Sequence, residues 1–415
     1  MTVSPLAHPA ASLASALAEA GVRAHQIDAR RGPRLASFDI SLGGADIDRV
    51  LRMGRQIAHA LQVRSVRVAE SKAGVAVEAP LPAHLWLPLT ARQCIPGQPV
   101  PLEVGIGRDA RGSLVRFRFG GTTPHMGVWG GSQCGKSEAV RNIVYQLAMT
   151  HGPAELPMVL IDGKNRGLVP FARLPHLLAP LATTPEDGAR LIAGLVRELD
   201  VRRDDPSRVR EGAILLVVVD EAAEFTGAAG DGLCRVASMG AELGIRLLVS
   251  SQHPTTGAVQ RLVTANLGAR LVGKCNDDPA ARLCMGGRSE APRSLEGKGD
   301  FLLVTGDEDQ ARRVQVGMVT DDEYAMLPVG HPGPIPAPHP APHPEAADVA
   351  RVAAMWDGGG MPGIMRIRRD LGCGDSRARR LRDEAAAMVG DPGIPARQEE
   401  VLTHAHAGAT TGREG

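Results

Sequence analysis

The run Gly130-Gly131-Ser132-Gln133-Cys134-Gly135-Lys136-Ser137 constrains the fold of this chain more than any other feature. It fits G-x-x-x-x-G-K-[ST] in full, a pattern that functions only where a strand delivers the loop and a helix opens at its end. Both are predicted here: 126–129 reads as a short apolar strand and 138–149 as an amphipathic helix. The glycines let backbone N–H groups close around phosphates, and the helix N-terminus adds its positive end. In that setting Lys136 reaches the β- and γ-phosphates of ATP and the Ser137 hydroxyl binds Mg²⁺. Cys134 is read as a small residue at a variable loop position, without a redox role.

A second signal joins the first. Leu215-Leu216-Val217-Val218-Val219-Asp220-Glu221 is an apolar strand ending in two carboxylates. Asp220 suits the second Mg²⁺ anchor of such enzymes, and Glu221 suits a general base that polarises water. An acidic pair at a strand end is by itself often a solvated loop; beside the phosphate loop it gains weight. A third strand, Leu247 to Ser251, ends at Gln252, where a polar side chain senses the γ-phosphate or merely caps local backbone.

Strands alternating with helices from about 125 to 320 imply a parallel sheet. They are expected at 126–130, 158–162, 214–220, 246–251 and 269–274, with a closing hairpin at 301–305 and 313–319. Another hairpin spans 99–119 and turns at 109–112. Before these, Phe38, Ile40 and Leu42 alternate, Ile47 to Leu61 follow helical spacing, and Val66, Val68, Val75 and Val77 alternate again. The expected division is an N-terminal segment 1–34 and a small α+β module 35–95. A motor domain 96–326, a Pro/His-rich linker 327–345, a helical DNA-binding domain 346–403 and a tail 404–415 follow.

Composition narrows the class. With 43% hydrophobic but only 3% aromatic residues the core must be aliphatic, and a net charge of +1 gives no global nucleic-acid footprint. The six cysteines form no C-x-x-C pair and read as free thiols of a reducing cytoplasm. The most apolar run, 213–219, is far short of the roughly 20 residues that span a bilayer, so no membrane span and a cytoplasmic location are expected.

At this point the chain resembles the FtsK/SpoIIIE family of DNA translocases. The likeness rests on Pro124-His125, Ile161-Asp162-Gly163-Lys164, Pro175-His176-Leu177-Leu178 and Asp220-Glu221 with Phe225. Gly244-Ile245, Gln252 with Pro254, and Gly297-Lys298-Gly299-Asp300 add to it. It implies an α/β, RecA-like P-loop motor whose ATP sits between protomers of a ring, expected to be a hexamer, with double-stranded DNA in the pore. The module 37–89 is similar to the family's β-domain. The family's membrane-spanning N-terminal region is missing from this sequence, which favours a soluble relative carried by a plasmid or integrative element.

The C-terminal part extends the resemblance. Residues 364–371, a turn at 372–375 and a helix over 376–388 bearing Arg377, Arg379, Arg380 and Arg382 form a helix-turn-helix pattern. This is similar to the family's γ winged helix, with 390–402 as the wing. Lys164, Asn165 and Arg166, just past a strand end, are the candidate pore-loop contacts to DNA. His253 stands where the family has an Arg that contacts DNA. Ala241 also replaces a family Arg, so the arginine finger falls first to Arg235 and then to Arg270. Two other readings stay open: a HerA-type DNA-processing helicase, and a DNA-binding regulator that uses ATP as a switch.

Overall fold

The computed structural model describes residues 6–98, 100–205, 209, 214–255, 257–265, 267–275, 277–288, 292–308 and 310–330. In the C-terminal region it describes 352, 355, 364–371, 378, 379, 381–383 and 385. The chain divides into two units, Met1–Pro338 and His339–Gly415.

Within the first unit, the alternation at Phe38, Ile40 and Leu42 forms a strand because one face can be buried. Strands β1 (Ala24–Arg31), β2 (Leu35–Leu42), β3 (Arg67–Ser71) and β4 (Gly74–Pro80) make an antiparallel sheet in the order β1-β2-β4-β3. Helices α1 (Ala7–Glu19), α2 (Gly44–Leu51) and α3 (Gly54–Ala60) accompany it. Leu13, Leu17, Phe38, Ile40, Ile57 and Val77 are fully buried together. The expected separation of 1–34 from the module is therefore corrected. Leu13 and Leu17, one helical turn apart, need this core, and β1 pairs with β2 from Ala24 to Arg31. The Gly32-Pro33 break is the hairpin link, closed by the Gly32 amide donating to the Leu35 carbonyl at 2.8 Å.

The second sheet has nine strands. They are β5 (Glu103–Arg108), β6 (Leu114–Arg118), β7 (Met126–Trp129), β8 (Met158–Asp162) and β9 (Leu215–Asp220), then β10 (Ile245–Ser251), β11 (Ala269–Val272), β12 (Asp300–Thr305) and β13 (Arg312–Val316). Their order is β6-β5-β13-β12-β11-β7-β10-β9-β8. From β11 to β8 the strands are parallel, and β7 lies between β10 and β11. The principal helices are α4 (Lys136–Thr150), α5 (Pro185–Asp204), α6 (Gly227–Met239), α7 (Gly257–Ala265), α8 (Asp278–Met285) and α9 (Asp321–Ala325).

Both faces of the parallel part are covered, which is why β9 reads as an unbroken apolar run. Leu216 and Val218 join the core with Ile143 and Leu147 of α4, whereas Val217 and Val219 join Leu195 of α5 and Val236 of α6. The expected strands are all present, with ends moved by a few residues at most.

Two expected boundaries move. Residues 89–95 belong to the large sheet's surroundings: the Ala91 amide donates to the Met318 carbonyl at 2.8 Å, and Cys94 is fully buried. The linker does not begin at 327, because Leu327 is packed in the core and the Gly330 amide donates to the Arg173 carbonyl at 2.8 Å. Apolar burial at 327 holds the chain to the large-sheet domain for several residues longer than composition suggests.

In the second unit, helix α10 (Ile364–Leu371) buries Ile367 in a cluster with Val352, Ala378, Leu381 and Ala385. Leu381 thus faces a small core, as its spacing predicts. Arg379 is exposed and Arg382 half-buried. Arg377, Arg380, the turn at 372–375, Met388 and the wing at 390–402 lie outside the described residues. Among the described residues, no helix is long and apolar enough to cross a membrane.

Candidate nucleotide site

The phosphate loop leaves β7, an interior strand of the sheet, and its shape requires glycine. Gly130 and Gly135 have φ of +146° and +106°, and a Cβ at Gly135 would stand 2.7 Å from the Gly299 nitrogen. The loop is pinned from both sides. The Gly131 amide donates to the Lys274 carbonyl and the Gly299 amide to the Cys134 carbonyl, each at 2.8 Å. Cys134 is buried, with a Cβ at Gly130 or Gly273 fouling its sulfur, so it is packing; burial pushes its thiol pKa up. Lys136 Nζ donates to the carbonyls of Gly130 and Gly131, both at 2.9 Å. The Ser132 hydroxyl donates to Gln252 Oε1 at 2.7 Å, which ties the end of β10 to the loop.

The carboxylates sit one strand further on. Register sets Val249 of β10 beside Val219 of β9, so Ser250 and Ser251 meet Asp220 and Glu221. The Ser250 hydroxyl donates to Asp220 Oδ1. Burial pushes the Asp220 carboxyl up; Asp162 and Glu221 add to this, while the Ser250 hydroxyl and Lys136 oppose it.

Glu221 is held in left-handed backbone geometry at φ +59° with its side chain buried. Its Oε1 accepts from the Ser251 hydroxyl at 2.9 Å and the Gln252 amide at 3.0 Å. Its Oε2 is 3.2 Å from Lys164 Nζ. Burial alone would raise this carboxyl, but the Gln252 amide, Ser251 hydroxyl and Lys164 ammonium outweigh it and hold it below the ordinary carboxylate range.

Lys164, a candidate pore-loop contact, also stands at the carboxylate end of the site, bridging Glu221 and Glu224, the latter at 3.4 Å. The reason is Asp162, buried at the end of β8. Its Oδ2 accepts from the amides of Arg166, Gly167 and Leu168 at 2.7–2.9 Å, and its Oδ1 from the Lys164 amide at 3.2 Å. This winds 163–168 back toward β9. Asn165 takes φ +50°, and Arg141 clamps the carbonyls of Arg166 and Gly167. Lys164, Asn165, Arg166 and His253 are all exposed.

The two arginine-finger candidates are engaged within the chain. Arg235 pairs with Asp200 of α5 through both carboxylate oxygens. Arg270 is packed under the turn after α8, where a Cβ at Gly286 would stand 2.4 Å from its NH1. Burial lowers its pKa, and Arg288 adds to that.

Sequence reading missed Ser250 and Ser251 as partners of the carboxylates, Asp162 as the organiser of the Lys164 loop, and the turn 297–300 as a wall of the phosphate loop. That turn is fixed by Asp300, which accepts from Arg313 Nε at 2.9 Å and NH2 at 2.7 Å with both side chains buried. A Gly-Lys-Gly-Asp run before a strand was the available signal for the last. The serines depend on strand register and left none.

Gln133, Lys136, Ser137 and Gln252 open on one cleft of about 530 Å³, within the range of small-molecule sites. The glycine cradle and the start of α4 fit a polyphosphate. Among the described residues no group of three or more His, Cys, Asp or Glu could hold a metal by itself. One hydroxyl, Ser137, and one carboxylate, Asp220, fit Mg²⁺, which keeps waters and phosphate oxygens as its other ligands.

Residues 96–210 match the family model described as FtsK/SpoIIIE family, and residues 3–81 match the one described as FtsK alpha domain. The second match replaces the expected likeness of this module to the family's β-domain. A protein named DNA translocase FtsK from Streptomyces coelicolor is 27% identical over 363 residues, covering 76% of this chain and 38% of that protein. The DNA translocase FtsK of Mycobacterium tuberculosis is 27% identical over 355 residues, covering 76% of this chain and 42% of its own length. The chain thus spans well under half the length of these curated relatives. EssC (ATPases 2 and 3) from Geobacillus thermodenitrificans shares the fold at a TM-score of 0.50 and 19% identity, over 62% of this chain and 54% of that one.

Proposed function

We propose that this chain, which carries an FtsK/SpoIIIE-family segment behind an FtsK alpha domain, is an ATP-hydrolysing motor that moves double-stranded DNA. The observation that carries the reading is the link from loop to base. Gln252 accepts from Ser132 of the phosphate loop through its side chain and donates to Glu221 through its amide. An event at the γ-phosphate is thereby felt at the carboxylate positioned to polarise water.

In this reading Lys136 and the loop amides hold the phosphates, and Mg²⁺ between Ser137 and Asp220 neutralises their charge. Glu221, kept ionised by its donors, accepts the proton of the attacking water. The motor works as a ring, expected to be hexameric, with ATP between protomers. Because Arg235 and Arg270 are engaged in cis, a finger role requires either of them to exchange its present partners on assembly.

The domain 346–403 acts as a winged helix. The burial of Leu381 with Ile367 supports a packed helix pair there, and Arg377, Arg379, Arg380 and Arg382 are its proposed DNA contacts. Lys164, Asn165, Arg166 and His253 are the proposed contacts on the motor, with Lys164 also paired to Glu221.

The test is ATP turnover of the full chain with and without long duplex DNA, over a range of salt. Duplex should stimulate turnover, and the stimulation should fall as salt rises, because phosphate contacts release counterions. Equal turnover with and without DNA would instead favour the ATP-switched regulator, and separation of strands the helicase.

A further inference from the structure

The lining of the cleft has two unlike parts. Lys136 and the start of α4 supply positive charge, whereas Leu87, Pro88, Leu89 and Met318 offer none. Leu87 is 50% exposed and Met318 46%, next to Trp86 at 38%, so this part presents apolar surface to solvent. Apolar surface at the mouth of a polar cleft marks a place where a flat, apolar ligand part lies.

Arg34 lines the same cleft from the β1–β2 hairpin of the N-terminal module. Its guanidinium lies 4.5 Å from the Trp86 ring centre, and its NH1 donates to the Lys298 carbonyl at 2.7 Å. Trp86 is itself fixed by its indole N–H donating to the Leu81 carbonyl at 2.8 Å. A guanidinium paired with an indole is a flat, weakly hydrated surface, well suited to stack on a second ring.

We propose that the base of the bound nucleotide stacks on the apolar part of the cleft lining, against Arg34 and the side chains of Leu87 and Met318. The proposal rests on the ATP-binding reading above. It makes the N-terminal module a part of the nucleotide site, with an arginine acting in cis on the base. Stacking is worth enough to matter: loss of one base-stacking side chain weakens binding by about tenfold.

The test compares two probes, ATP and inorganic tripolyphosphate, for binding to the full chain by calorimetry. Arg34→Ala should weaken ATP by about tenfold and leave tripolyphosphate unchanged. Leu87→Ala, at an exposed position with no structural hydrogen bond from its side chain, should shift ATP alone in the same direction. Equal weakening of both probes would place Arg34 on the phosphates, or on the loop through the Lys298 turn, and overturn the proposal. Unchanged ATP affinity in both variants would overturn it too. If the parent itself binds neither probe, the ATP reading falls, and this subsite falls with it.

Discussion

Replacing Lys164 with Met should remove a specific electrostatic coupling to Glu221 that a double-mutant cycle reads directly. The ammonium stands 3.2 Å from Glu221 Oε2, with side-chain exposures of 41% for Lys164 and 5% for Glu221. Fully exposed pairs contribute about 0.2–1 kcal/mol, and removing one partner of a fully buried pair costs about 3–5 kcal/mol. This pair is buried on one side only, and Glu221 keeps the Gln252 amide and the Ser251 hydroxyl. A coupling of about 1–2 kcal/mol follows, or about 1–3 °C in Tm for the unit Met1–Pro338. The assay is unfolding of the parent, Lys164→Met, Glu221→Gln and the double variant.

The sign with pH is fixed by the direction of the Glu221 shift. Its folded pKa lies below the ordinary value, so its contribution is complete above the unfolded pKa of about 4.3 and is lost as pH falls through the lower folded value. The coupling should therefore be full at pH 7 and decline only below about pH 4. Additive single variants at pH 7, within about 0.3 kcal/mol, would refute the reasoning. A companion measurement concerns DNA: the salt slope of duplex stimulation should fall by about one in Lys164→Met. An unchanged slope would remove Lys164 from the pore.

Lys136→Ala should abolish nucleotide binding or turnover, measured by calorimetry and phosphate release. Glu221→Gln should bind ATP and fail to hydrolyse it, and parental turnover there would remove Glu221 as the base. Gly135→Ala forces a Cβ toward the Gly299 nitrogen at a φ of +106°, so it should cost about 1–3 kcal/mol and lose nucleotide affinity. Parental affinity in that variant would mean that the loop is not shaped as described. Ending the chain at residue 345 should preserve ATP turnover and its stimulation by long duplex while losing any preference for a particular short DNA sequence. Loss of turnover on truncation would show that the C-terminal unit is needed for the motor itself.

Much of the large-sheet domain was legible in the sequence because its signals are local. A phosphate loop needs glycine where φ is positive and lysine and serine at the start of a helix, and these sit within eight consecutive residues at 130–137. A doubly covered parallel strand needs an unbroken aliphatic run, which 215–219 displays. Alternation at Phe38, Ile40 and Leu42 likewise announced a half-buried strand. Such features follow from backbone geometry and from burial along one segment, so one segment suffices to read them.

What surrounds the loop was decided only by tertiary structure. Ser250 and Ser251 become partners of Asp220 and Glu221 through the register of β10 on β9, and register is a property of two strands. Nothing in the sequence pairs Lys164 with Glu221, yet Asp162 gathers the amides of 164 and 166–168 around one buried carboxylate and turns the lysine onto Glu221. Arg34, more than a hundred residues before Ser137, lines the same cleft because Asp300 and Arg313 fix the turn whose Lys298 carbonyl it binds. A sequence records which charges and donors a chain owns. Which of them meet depends on the fold that lets each buried charge find its partner.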